Sequence, residues 1–185
     1  MILKYAFGAL LIIVLLVGYF INKSNKEDMA RLIQAEKAQI QKIENEKHEE
    51  EVRSKIKELQ SKIQIDPAEA RGIIESGKIP NDGKNFYSQL SGKWSDSIKI
   101  ASSTPRIALS QPITELQRLK RELEKRKPAN FCDNAMKLSL NTSYDYAIDG
   151  FLAFAQDNNF KMNTSSELSN KYMDKALVLM DYCYK

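Results

Sequence analysis

The chain has 185 residues, of which 43% are hydrophobic and 28% are charged, and its formal net charge is +4. About 160 residues outside a membrane suffice for one modest hydrophobic core and exclude a large enzyme domain. A net charge this small does not indicate nucleic-acid binding by itself. We therefore expect no nucleic-acid partner, and one becomes plausible only if the basic residues 118–127 face the cytoplasm.

The most apolar part of the sequence lies at its start. Residues 5–21 form an uncharged run of 17 residues between Lys4 and Lys23. As a helix this run is about 25 Å long, and the residues before Lys4 add almost another turn, which is enough to cross a hydrocarbon core of roughly 30 Å. The run is not followed promptly by the small residues of a signal-peptide cleavage site. The sequence therefore predicts an uncleaved signal-anchor over residues 1–22, a single pass through a lipid bilayer.

The orientation of this anchor depends on two opposing signals. Basic residues are more numerous after the run than before it, which would place the carboxyl side in the cytoplasm, although long domains translocate largely regardless of charge. Cys132 and Cys183 are the only cysteines, 51 positions apart. They have neither the clustered ligands of a metal site nor a C-x-x-C spacing. We interpret them as a structural disulfide, which places the following domain in an oxidising compartment such as a bacterial periplasm. We expect no metal and no other cofactor.

Residues 23–65 predict a long charged helix that contains a short coiled coil. Residues 26–64 include no glycine or proline, and their composition favours helix. Their apolar residues form two groups, a first seam of Leu32, Ile33, Ile40 and Ile43 and a second seam of Val52, Ile56, Leu59 and Ile63. The second seam starts nine residues after the first ends, about 180° around a helix. Either the helix bends or breaks near residues 45–50, or its halves pack on different partners.

The two seams have different predicted partners. Ile33, Ile40 and Ile43 form a candidate seam for another protein or for a second copy of the chain. The second seam could instead dock on the domain that follows. Each seam covers about two heptads, which is short for a stable two-stranded coil.

Residues 66–129 predict a helical middle region. Asp66, Pro67 and Glu69 have the pattern of an N-cap, a first helical position and a capping box. The expected helices cover about 67–76, 84–101 and 112–127, with a turn at 79–83 and a loop at 102–112. Apolar residues recur on one face of the second and third helices. They are Phe86, Leu90, Trp94 and Ile98 in one and Leu116, Leu119 and Leu123 in the other.

Residues 130–185 predict a small helical domain. A short helix of about 130–138 would bring Cys132 towards Cys183. Thr142 and Thr164 have capping-box spacing and predict two further helices, of about 143–157 and 165–183. No convincing alternation of strand type occurs, so the predicted fold class is all-α.

The sequence contains none of the common catalytic motifs. His48 is the only histidine, and its highly charged surroundings indicate a solvated helix surface. Asp145 and Asp149 lie one helical turn apart, a spacing that is common on helix surfaces as well as in acid–base pairs. We therefore expect that the protein is not an enzyme.

One basic run could contact an anion. Residues 118–127 include six basic residues, and Arg118, Arg121 and Lys125 would line one helical face opposite the leucines. This face could bind lipid headgroups, a phosphate-bearing envelope polymer or an acidic protein. The alternative is a solvated face with ion pairs along the helix.

Residues 131–184 contain Phe131-Cys132-Asp133, then Gly150-Phe151 within a helix, and a last helix that ends at Cys183. These features give the segment a resemblance to small periplasmic proteins of the HdeA acid-chaperone type. It covers under a third of the chain, and it implies a helical bundle closed by one widely spaced disulfide. Those chaperones have no anchor or long basal helix, so no functional residue is transferred.

These features predict a bacterial inner-membrane protein with its carboxyl domain in the periplasm. We expect it to be a helical scaffold that binds another envelope protein. Two alternatives remain open, a protective factor such as a holdase or an inhibitor of a lytic enzyme, and a phage-type component of envelope disruption.

Overall fold

The computed structural model describes the backbone of residues 2–184 and the side chains of residues 26 and 28–184. Helices account for 87% of the chain, and the described residues contain no strand, which confirms the predicted all-α class. Within the part whose side chains are described, no helix is both long and apolar enough to cross a membrane. The predicted anchor over residues 1–22 lies outside that part.

The described residues form six α-helices and one short 3-10 turn. They are α1 (Ile2–Lys62), α2 (Pro67–Glu75), α3 (Asn81–Ser103), a 3-10 turn (Arg106–Ala108), α4 (Ser110–Lys125), α5 (Phe131–Ala155) and α6 (Asn159–Tyr184). The chain divides into two compact units, Met1–Glu51 and Val52–Lys185. The first unit consists of α1 up to Glu51, and the second contains the end of α1 and all the other helices.

The second seam lies in the core of the second unit. Leu59, Ile63 and Val52 are buried, and Ile56 packs against the core. The prediction that this seam docks on the following domain is thus confirmed. The helix itself is continuous from Ile2 to Lys62, so of the two alternatives that the seams left open, a break near residues 45–50 does not occur.

The core of the second unit takes side chains from every one of its helices. Its largest fully buried members are Leu59, Ile79, Tyr87, Leu90, Leu109, Leu116, Leu119, Leu123, Met136, Tyr144 and Leu179. Trp94 of α3 stacks on Tyr144 of α5 with ring centroids 3.5 Å apart. In α4, leucines spaced three and four residues apart share one buried face, as the periodicity predicted.

The start of α2 follows the predicted pattern at the N-cap and the first helical position, whereas Glu69 pairs with Lys175 instead of closing the predicted capping box. The Asp66 carboxylate accepts hydrogen bonds from the backbone N–H groups of Ala68 and Glu69, at 2.6 and 3.2 Å. Pro67 occupies the first helical position, where its missing N–H costs nothing. The Glu69 carboxylate contacts Lys175 Nζ of α6 at 3.2 Å, and so ties the first turn of α2 to the last helix.

Two predicted helix starts are wrong. Thr142 lies inside α5, and Thr164 lies inside α6. Each threonine hydroxyl donates to the carbonyl four residues earlier, Leu138 O at 2.9 Å and Phe160 O at 3.1 Å. A threonine can satisfy its hydroxyl in this way within a helix as well as at a cap. The predicted short helix 130–138 and helix 143–157 are therefore one helix.

The long helices α5 and α6 form an antiparallel pair. Asp157 in the connecting turn has a φ of 62°, and Asn158 Oδ1 accepts from Lys161 N at 3.0 Å, where α6 begins. Ser143 and Ser169 join the two helices reciprocally, because each hydroxyl donates to the other residue's carbonyl at 2.9 Å. This pair brings Cys132, near the start of α5, beside Cys183, near the end of α6.

Candidate partner-binding surfaces

The first seam is exposed within the first unit. Ile33, Ile40 and Ile43 have 47%, 50% and 59% of their surface accessible, and Leu32 is exposed as well. Met29, which the sequence analysis left out, is also exposed. Met29 lies four residues before Ile33, on the same helix face, and this spacing could have identified it as a member of the first seam. Large apolar side chains on one helix face typically mark an interaction surface.

The exposed residues follow a heptad register. Met29, Ile33, Ile40 and Ile43 are four, seven and three residues apart, which are the intervals between a and d positions of a coiled coil. The remaining position of this series is 36, and a glutamate occupies it. The seam is therefore an apolar stripe with one acidic residue in its middle.

The predicted anion-contacting residues lie on the outer face of α4, away from its buried leucines. Arg118 is bidentate to Glu115, at 2.7 and 2.8 Å, and also contacts Glu122 at 3.3 Å. The hydrogen bonds that Arg118 donates to the Glu115 carboxylate raise the pKa of Arg118 above its ordinary value. Arg121 and Lys125 are exposed and form no ion pair with the described residues. Of the three predicted anion-contacting residues, Arg118 is thus neutralised by neighbouring glutamates, and Arg121 and Lys125 remain available for an anion.

Cys132 and Cys183 form a disulfide with their Cα atoms 5.7 Å apart, as predicted. Both residues are buried. Backbone hydrogen bonds support the closure, since Ile79 N donates to Cys183 O at 2.9 Å and Cys132 N donates to Ser76 Oγ at 3.2 Å. The disulfide therefore joins α5 and α6 at the point where the segment between α2 and α3 also meets them.

A buried polar cluster next to the disulfide was missed by the sequence analysis. The fully buried Asp133 carboxylate accepts hydrogen bonds from Arg126 Nη2 at 2.8 Å, Tyr87 OH at 2.6 Å and Ala129 N at 2.9 Å. A side chain at Gly83 would collide with the Arg126 guanidinium. With three donors on one carboxylate, this cluster is a structural tie between α3, α4 and α5.

An open cavity of about 380 Å³ lies between α3, α5 and α6. Its wall includes Ile98, Phe151, Phe154, Met162 and Asn170, and none of its lining residues carries a titratable side chain. It offers no acid–base pair for catalysis.

The other polar residues considered for chemistry lie apart from this cavity. Asp145 is exposed on α5 and pairs with Lys120 Nζ at 2.8 Å, whereas His48 is exposed in the first unit.

The chain was also compared with known proteins. No protein-family model, no curated protein and no solved structure matches it.

Proposed function

We propose that this protein is a single-pass protein of the bacterial inner membrane, anchored by residues 1–22 with its carboxyl side in the periplasm. Its function is to bind another envelope protein and hold it beside the membrane. The observation that carries the proposal is the first seam, whose isoleucines are about half exposed. Large apolar side chains gathered on one exposed face often mark a site of protein–protein interaction.

The location rests on two further supports. The uncharged run of 17 residues near the start is long enough to span a bilayer. The Cys132–Cys183 disulfide is of a kind that persists in oxidising compartments and is rare in the cytoplasm. Together they favour a membrane-tethered protein whose folded part is exported.

Site-specific photo-cross-linking in cells tests the binding function. A photoreactive amino acid replaces Ile40 in the full chain, and a matched variant carries it at Asn45, about 140° around the helix. We expect ultraviolet light to give an adduct with an envelope protein from position 40 and not from position 45. Equal adducts from both positions, or none from position 40, would contradict the proposal. An adduct of two copies of this chain would indicate self-association instead.

A further inference from the structure

One charged residue lies among the apolar residues of the first seam and does not suit a simple apolar interface. Met29, Ile33, Ile40 and Ile43 occupy a and d positions, and Glu36 takes the d position between Ile33 and Ile40. Glu36 is exposed in the first unit. If a helix covered this seam, the Glu36 carboxylate would face that helix at the centre of the contact.

Glu36 has no basic residue three or four positions away on its own helix. The residues three and four positions away are Leu32, Ile33, Gln39 and Ile40, and ion pairs along a helix need a basic residue at one of these positions. By contrast, Asp28 pairs with Arg31 and Glu46 pairs with Lys42 in the same region. When a partner helix covers the seam and takes this carboxylate out of water, the counter-charge therefore has to come from that partner.

A second copy of this chain is a poor partner. Copies anchored in one membrane with the same orientation run parallel, and a parallel pair places d positions opposite each other. Glu36 would then face Glu36 of the other copy, and like charges in a contact are destabilising. At the flanking g and e positions, Leu32 of one copy would lie opposite Lys37 of the other, and Gln39 opposite Glu44. Neither pair joins opposite charges, so neither offsets the repulsion between the two Glu36 carboxylates.

We propose that the first seam binds a parallel helix of a different membrane-anchored protein, which presents lysine or arginine opposite Glu36. This inference rests on the proposed function and specifies the chemistry of the partner. Apolar residues of that helix cover Ile33, Ile40 and Ile43, and its basic residue pairs with the carboxylate. The isoleucines supply the affinity, whereas Glu36 excludes self-association and selects the partner.

A copy of the chain with Glu36→Lys is the probe for this chemistry. Full-length chains are labelled with a fluorescent donor or acceptor at Asn45→Cys and reconstituted together in vesicles. The native cysteines are oxidised, so the introduced thiol reacts alone. We expect wild type to pair with Glu36→Lys about tenfold more tightly than with itself, the effect of a close charge pair. A Glu36→Leu copy, which lacks the repulsion, should pair with itself.

Glu49→Lys supplies the control, because it makes the same change of charge on the far side of the helix. Wild type should pair with this copy no better than with itself. The inference is overturned if wild type pairs equally well with itself and with Glu36→Lys. It is also overturned if neither Glu36→Lys with wild type nor Glu36→Leu with itself forms a pair.

Failure of this inference and failure of the proposed function give different results. Suppose that position 40 gives an adduct in cells but wild type shows no preference for Glu36→Lys in vesicles. The proposed function would then be supported, and the inference of a basic partner helix would be wrong. Absence of that adduct removes the proposed function and, with it, the inferred partner.

Discussion

Asp133 Oδ2 lies 2.8 Å from Arg126 Nη2, and the Asp133 side chain is completely buried. The guanidinium also lies over the rings of Phe86 and Tyr87, with distances of 5.2 and 5.3 Å to the ring centroids. Cys132 directly precedes Asp133, so the ion pair and the disulfide lie in the same turn of α5. It fixes the end of α4 against the starts of α3 and α5.

Replacing the buried carboxylate should strongly destabilise the second unit. Asp133→Asn leaves the Arg126 guanidinium with only the exposed Asp82 carboxylate, 3.8 Å away, and breaking a buried ion pair typically costs about 3–5 kcal/mol of the free energy of unfolding. Urea denaturation of the full chain in detergent measures this, with fluorescence of Trp94, the only tryptophan, as the readout. Asp96→Asn is the control, because Asp96 pairs with Lys99 on the surface. Equal midpoints for the two variants would contradict the prediction.

The Asp133 cluster should also make stability depend on acid pH. Burial by itself would raise the pKa of Asp133, but hydrogen bonds from Arg126, Tyr87 and the Ala129 N–H outweigh it and hold the pKa below its ordinary value. A carboxyl with a lowered folded-state pKa stabilises the fold above its unfolded-state pKa, near 4, and this contribution is lost as the pH falls through the folded-state value.

Comparison of wild type with Asp133→Asn isolates this contribution. The difference between their free energies of unfolding should be constant from about pH 5 to pH 8 and should shrink below about pH 4. Urea denaturation at several pH values measures it. A difference that stays constant well below pH 4 would show that the carboxylate is not the group that titrates.

Removal of the disulfide should cost about 4 kcal/mol, the value that loop closure predicts for a separation of 51 residues. Cys132→Ala, Cys183→Ala and the double variant should lose similar amounts, since any one of them opens the same loop. Reduction of the wild type should approach the same value. Denaturation followed by Trp94 fluorescence measures all four forms, and losses that add in the double variant would contradict the account.

Helix faces and one cap could be predicted from the sequence because their signals are local. The buried face of α4, the Asp66 cap and the docking of the second seam all follow from spacings of three and four residues. The disulfide followed from the absence of competing metal or redox motifs around Cys132 and Cys183. These features depend little on which distant residues meet them.

The wrong helix starts arose where one local sequence pattern fits two different structures. Thr142 and Thr164 have the spacing of caps, yet both bond within long helices. Arg126 was one basic residue among six, and its inward position follows from the end of α4 at Lys125, after which the backbone becomes extended. Asp133 and Tyr144 are buried because each meets a partner that is distant or outside its own helix, Arg126 after the end of α4 and Trp94 in α3. No local sequence pattern identifies such partners.

Topology mapping in intact cells tests the central claim, that this is a membrane-anchored protein with an exported domain, most directly. A cysteine is introduced at the exposed position 163 (Asn163→Cys) of the full chain, and cells are treated with a membrane-impermeant maleimide before and after the inner membrane is opened. The account predicts that the chain sediments with membranes and that the thiol at position 163 is labelled while the inner membrane is intact. Labelling only after that membrane is opened, or recovery of the chain in the soluble fraction, would contradict it.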